Sequence, residues 1–278
     1  MKAIFMPRLT REASALTTRK HASRRSAKRR RVPLISFLIA AALSAGGCST
    51  PGPTHAYLAS RAENPIVDLL PGAPDADIPT DLISVNELYG IAYDPYTDHL
   101  FLRVYPGDFI RVIDRPARKT KRGIMIKDLP PGGGDLAIRS RDRHLFLSHP
   151  TLPALVEITL YGRTLRTIIL ENVRSRPLGV AYDQAQDRLF ILEQDHPARV
   201  AIHDLAGKRL GSLELDHGVR PVSLAYDSTA AEFYAPLLDQ AAVGVFDTQG
   251  RLVRTLATPD GGVHNFVDVG QRSLLRLF

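Results

Sequence analysis

The sequence predicts an all-β protein, a β-propeller of four-stranded antiparallel blades, and three observations lead there. One is a repeat. Gly90-Ile91-Ala92-Tyr93-Asp94 recurs as Asp135-Leu136-Ala137-Ile138-Arg139, as Gly179-Val180-Ala181-Tyr182-Asp183 and as Ser223-Leu224-Ala225-Tyr226-Asp227, with the central alanines 45, 44 and 44 residues apart. Two further apolar features keep the same phase. They are the pairs Leu100-Phe101, Leu145-Phe146, Leu189-Phe190 and Phe233-Tyr234, and the single positions Ile113, Ile158, Ile202 and Phe246. Finally, no segment carries a 3.6-residue apolar period for two or three turns, which disfavours helical arrays of similar length.

Each unit divides into four short strands. Residues 91–93 are apolar throughout, as a strand buried on both faces should be. Asp94-Pro95-Tyr96-Thr97-Asp98 and Asp183-Gln184-Ala185-Gln186-Asp187 are polar turns into a second strand. The repeated Asp94, Asp183 and Asp227 are read as turn caps acting through their own side chains. Residues 200–202 form a third strand. Leu205-Ala206-Gly207-Lys208 and Thr248-Gln249-Gly250-Arg251 are hairpin turns into a fourth, more polar one. Four antiparallel strands in about 44 residues make a propeller blade.

Four complete units span about 86–262. Before them, 66–70 and 81–85 fall in register with a third and a fourth strand. After them, 266–269 and 273–278 fall in register with a first and a second. Joining the chain ends in one blade removes the long unpaired edges that an open ring would leave. Residues 59–278 number five times 44, so five blades are predicted, with six as the alternative. Tyr57 is also in register with Phe101, so a strand at 55–59 competes for a place in the closing blade.

The N-terminal 47 residues read as a targeting segment. Of 36 Lys/Arg, 11 lie in residues 1–31 beside the single acid Glu12, and residues 32–47 carry no charge. The apolar stretch has the length of a signal-peptide core and falls short of the ~20 residues of a membrane-spanning helix. From Cys48 on, 25 bases face 28 acids, so the overall charge of +7 belongs to the leader and nucleic acid is not an expected partner. Ser23-Arg24-Arg25 lacks the apolar residues that follow a twin-arginine signal. Residues 48–58 are expected to form a lipidated cysteine and a flexible Pro/Ser/Thr/Gly tether, and 59–278 the propeller. One cysteine in the chain excludes an intramolecular disulfide and a cysteine-cluster zinc site.

Ala45-Gly46-Gly47-Cys48-Ser49 resembles a bacterial lipobox, with Ala45 where that family usually has Leu. The resemblance implies lipidation at Cys48 and a membrane anchor. Ser49, where an Asp would favour inner-membrane retention, points to the outer membrane, facing the periplasm. Plain secretion is the alternative. Arg176-Pro177-Leu178-Gly179-Val180-Ala181-Tyr182-Asp183, with Arg188-Leu189-Phe190-Ile191 and Arg199-Val200-Ala201-Ile202-His203-Asp204, resembles the NHL-type repeat of bacterial envelope proteins. That likeness covers roughly residues 86–262 and implies a propeller without naming a ligand.

No GxSxG elbow, HExxH, Walker loop or EF-hand loop occurs, so no catalytic residue can be assigned. Pro130-Pro131-Gly132-Gly133-Gly134-Asp135 reads as an inter-blade connection, because no Lys-Ser/Thr or helix follows it. The repeat suggests a different search, since equivalent positions gather around the axis. Three residues before the Gly90-type position stand Glu87, Gly132, Arg176 and Arg220, and one more repeat gives His264 beside Asn265. Glu87, Arg176, Arg220, His264 and Asn265 are therefore the candidate ligand-binding residues of one funnel, where guanidiniums and an imidazole suit a carboxylate or phosphate. Loop-stabilising ion pairs are the competing reading.

The expected function is a cell-envelope lipoprotein that binds or scaffolds a protein, a peptide or a small anionic ligand, without a cofactor. The alternative is a metal-dependent hydrolase or lyase resembling lactonase-like propellers. Glu87 and Asn265 would then hold a divalent cation in the funnel.

Overall fold

In the computed structural model, residues 51–60, 66–70, 73–74, 88–258 and 263–273 are described. They form twenty strands in five four-stranded antiparallel sheets, the five blades of a closed propeller. Blade 1 holds β4 (Leu88–Asp94), β5 (His99–Val104), β6 (Phe109–Asp114) and β7 (Lys119–Met125). Blade 2 holds β8 (Leu136–Arg139), β9 (His144–Ser148), β10 (Ala154–Thr159) and β11 (Thr164–Ile169). Blade 3 holds β12 (Pro177–Asp183), β13 (Arg188–Glu193), β14 (Arg199–Asp204) and β15 (Arg209–Glu214). Blade 4 holds β16 (Ala225–Asp227), β17 (Glu232–Pro236), β18 (Ala242–Phe246) and β19 (Leu252–Ala257).

Blade 5 closes the ring. Its order is β20 (Phe266–Ser273), β1 (Pro51–Ala59), β2 (Val67–Leu70) and β3 (Ala73–Pro74), so the C-terminal strand is innermost and three N-terminal strands lie outside it. Closure by both chain ends in one blade is as the sequence predicts, but two of the strands differ. The second strand is β1, in register Tyr57↔Asp268, and not 273–278. The fourth is β3, whereas 81–85 lie outside the described residues. The expected tether therefore gives way to β-structure from Pro51 onward. Among the described residues β2 pairs with residues 56–58 of β1 and the end holding Pro51 and Pro53 pairs with β20 alone, which tolerates the prolines there. A register irregularity between Pro51 and Thr54 accommodates them further.

The ring is held by five apolar clusters, one between each neighbouring pair of blades. Phe101, Phe146 and Phe190 sit at one repeat position in three blades and are at most 2% exposed. Each contributes on the order of 2–3 kcal/mol by burial. The repeated aspartates cap the first turn of their blades. Asp94 accepts from the Tyr96 amide (3.1 Å), Asp183 from the Ala185 amide (2.9 Å) and Asp227 from the Thr229 amide (2.8 Å). The outer hairpin of one blade tucks against the last carbonyl of the blade before it. At Gly207 (φ +86°) an added Cβ would stand 2.1 Å from the Ile169 carbonyl oxygen, and at Gly250 (φ +80°) 2.0 Å from that of Glu214. Both backbone conformation and space require glycine there.

Candidate functional site

The innermost strands β4, β8, β12, β16 and β20 present their unpaired inner edges to the propeller axis. Their backbone N–H groups need partners that no further strand supplies. Three side chains on or beside these strands supply them. Asp135 Oδ2 accepts from Ser223 Oγ (3.0 Å), the Leu224 amide (3.1 Å) and the Val180 amide (3.4 Å). Ser223 Oγ accepts from the Val267 amide at 3.1 Å. Asp268 accepts from the Tyr93 amide at 2.5 Å. Together these bonds tie blades 2, 3 and 4 to one another, blade 4 to blade 5, and blade 5 to blade 1.

Asp135 has no exposed surface, and an added Cβ on Gly90 would meet its Oδ1 at 2.6 Å. Oδ1 itself makes no hydrogen bond among the described residues. Burial pushes this carboxyl well above the usual aspartate range, against the pull of its Leu224 and Ser223 hydrogen bonds. Along the strands, Gly90, Asp135, Gly179 and Ser223 form the layer that separates two axial cavities.

The larger cavity, about 440 Å³, opens where the first strands end. All five blades contribute to its wall, among them Tyr93 and Tyr96, Ser140, Gln184, Ser228, and Asp268 with Arg272. Tyr96, Ser140, Gln184, Ser228 and Arg272 follow one another at intervals of 44. Hydrogen bonds run from blade to blade along this rim. The Ser140 amide donates to Gln184 Oε1 (3.1 Å), Gln184 Nε2 to the Ile138 carbonyl (2.7 Å) and the Gln184 amide to Ser228 Oγ (2.9 Å).

Asp268 stands deeper in this cavity. Its pairing with Tyr57 matches that of Ala92 with Phe101, Ala137 with Phe146 and Ala181 with Phe190, so it occupies the axial position that is alanine in the other four blades. Burial raises its carboxyl to about 7. It keeps some accessible surface only because it faces the cavity. The cavity's other charged groups are Asp227 and Arg272. Asp227 is held by Thr54 Oγ1 (2.9 Å) and its turn amides, and Arg272 is ion-paired to Asp68 and donates to the Tyr57 hydroxyl (3.0 Å).

The smaller cavity, about 290 Å³, lies at the opposite mouth, the one expected from the sequence. It is lined by Tyr89, Gly132, Gly133, Gly134, Arg176, Leu178, Val222 and Phe266. Arg176 reaches it and donates to the Pro150 carbonyl (3.2 Å). Arg220 is instead turned onto its own blade, donating to the carbonyls of Leu237 (3.0 Å) and Leu238 (3.1 Å). His264 is 4% exposed, and the Asn265 amide donates to the Ala59 carbonyl (3.0 Å). Neither lines the cavity. Cys48 and Glu87 lie outside the described residues. Beside this mouth Arg103 is fully buried, and its guanidinium donates to the carbonyls of Gly107 (2.8 Å), Ser148 (2.8 Å), Gly134 (3.2 Å) and Gly132 (3.3 Å). The glycine loop is thereby clamped. Among the described residues no group of three metal-ligating side chains forms.

Exact 44-residue spacing led the sequence reading to Arg176, Arg220 and His264, but equal spacing fixes only where the backbone lies. Three residues on from each repeated alanine, Pro95, Ser140, Gln184 and Ser228 share one repeat position at the rim of the larger cavity, beside the aspartate turn caps. Asp268 was not legible in the same way: one more step of 44 from Ala225 lands on Val269, and it is the pairing Tyr57↔Asp268 that puts residue 268 in the alanine position.

No family model matches this chain, and no curated protein matches it. Solved structures similar to it include a chain of a nidogen/laminin complex, with a TM-score of 0.56 and 12% identity over 78% of this chain and 98% of that one. Another is hydrazine synthase from Kuenenia stuttgartiensis, with a TM-score of 0.42 and 14% identity over 62% of this chain and 49% of that one. The first likeness is one of fold and agrees with the propeller described above.

Proposed function

We propose that this chain is an exported lipoprotein of the bacterial cell envelope, anchored through Cys48 to the outer membrane and facing the periplasm, whose propeller holds a small ligand in the larger axial cavity. The observation that carries the binding half is the cavity of about 440 Å³ walled by all five blades. Its volume falls within the range of small-molecule sites, and convergent polar groups line it. The anchoring half rests on the basic leader, the uncharged stretch 32–47 and the small residues before Cys48.

Ser228→Phe tests the binding half by filling the rim from one blade. A thermal-shift screen against cationic, neutral and anionic metabolite-sized compounds should find stabilisers of the wild type that fail to stabilise the variant. A screen whose hits stabilise both proteins equally would place binding elsewhere.

A further inference from the structure

We propose that the Asp268 cavity takes a small ligand bearing an ammonium group, bound with its cation against the Asp268 carboxylate. This rests on the reading of that cavity as a binding site and names the ligand's chemistry.

A carboxyl away from bulk water must be paired, hydrogen-bonded or protonated. The chain answers that demand differently in two neighbouring layers. Asp135 is sealed in, fully buried, and surrounded by donors from blades 3 and 4. No ligand can reach it, and burial pushes its carboxyl well above the usual aspartate range. Asp268 opens onto a cavity large enough for a molecule. One of its oxygens is aimed by the Tyr93 amide. Among the described residues no side chain hydrogen-bonds to it and no cation pairs with it, whereas the carboxylates of Asp68, Asp183 and Glu157 all have arginine partners.

The rest of the wall agrees. Arg272 is matched by Asp68, and Asp227 has hydroxyl and amide donors but, among the described residues, no cationic partner. The lining thus carries uncompensated negative charge, which attracts cations and repels the anions expected at the other mouth. Ser140, Gln184, Ser228 and Thr229 add hydrogen-bonding groups that suit a polar organic cation. A bare metal ion would need several oxygen ligands at once, and the described residues gather no such set.

The test is isothermal titration of the full chain in detergent at pH 8, with three probes of one carbon skeleton: 1,4-diaminobutane, butane-1,4-diol and succinate. The diamine should bind and the other two should not. Asp268→Asn keeps an oxygen for the Tyr93 amide and removes the charge, and an unchanged far-ultraviolet dichroism spectrum confirms its fold. It should weaken diamine binding about ten- to a hundredfold, the loss expected of one charge-assisted hydrogen bond. If the diol or succinate binds as well as the diamine, and Ser228→Phe blocks it, the cavity is a site but not for cations. Diamine binding unchanged in Asp268→Asn overturns the assignment to that carboxylate. No binding by any of the three probes sinks both this proposal and the cavity reading beneath it.

Discussion

Ser223 Oγ and Asp135 Oδ2 lie 3.0 Å apart at the propeller axis, although 88 residues separate them in the chain. The serine's oxygen also accepts the Val267 amide, so one buried hydroxyl joins blades 2, 4 and 5. The hub is therefore a polar knot at the axis, set among the apolar clusters that join the blades, and its energetics turn on whether the aspartate is charged.

A buried carboxyl whose folded-state pKa is raised binds a proton that the unfolded chain releases. Stability then falls as pH rises from the ordinary aspartate value toward the raised one. Asp135 and Asp268 both act in this sense, Asp268 over the window from about 4 to about 7. Asp135→Asn, neutral at every pH and nearly the same shape, should flatten the decline. Urea unfolding at pH 5 and pH 8 should show the variant gaining on the wild type at the higher pH. Parallel pH profiles would mean that Asp135 is not protonated in the folded hub.

The same sign governs the cavity. Below about 7 Asp268 takes up a proton, so diamine affinity should fall from pH 8 to pH 6 and stay flat in Asp268→Asn. Asp227 and Arg272 share the cavity, Tyr93 and Tyr226 line it, and Asp135 lies in the layer beneath. A pH effect that persists in the variant would belong to a group other than Asp268.

Arg103 makes its hydrogen bonds to four carbonyls and none to a carboxylate, and burial lowers its pKa to about 10. Arg103→Met leaves those carbonyls buried and unsatisfied. The loss should exceed roughly 3 kcal/mol by denaturant unfolding, since each orphaned buried group costs about 1–3 kcal/mol. A loss below about 1 kcal/mol would show that the glycine loop finds other donors.

Closure makes a prediction for the C-terminal strand. Phe266 is 1% exposed in the innermost strand of blade 5, and Phe266→Ala should cost about 3–5 kcal/mol by denaturant unfolding. A loss below about 1 kcal/mol would show that β20 closes the ring without that side chain.

Cys48→Ala should release the protein from membranes or leave it unprocessed, as fractionation and mass determination will show. Several acyl chains on one residue hold firmly where a single one holds marginally. A mature Cys48→Ala protein still in the membrane fraction would remove the anchor.

The 44-residue period made blades 1 to 4 legible strand by strand, because alternating burial forces the same apolar positions into each unit. Blade 5 was legible at positions 66–70 and 266–269 and misread at Pro51-Gly52-Pro53-Thr54, whose composition is that of a linker. Composition does not reveal that, among the described residues, one side of that segment has no strand partner, which is what admits its prolines. Arg220 shows a related limit of the repeat. Its backbone follows the repeat, but a long side chain goes to the nearest unsatisfied carbonyls, here those of Leu237 and Leu238, and these depend on a loop that the repeat does not specify. Asp135 stood in the repeat alignment beside two glycines and a serine. The layer where those positions converge explains why only one of them is large.

The strand order of blade 5 also has a consequence in time. β1, β2 and β3 are made first, yet the strand against which β1 must lie, β20, is made last. On the ribosome the N-terminal hairpin therefore waits, one long edge exposed, until blades 1 to 4 and β20 have been made. During that interval a holding chaperone has a natural target in Tyr57, Leu58 and Val67, which the finished ring buries. The price of a ring without loose ends is thus a long vulnerable interval during biogenesis, and substitutions that slow release of the C-terminus should lower yield before they lower the stability of whatever folds.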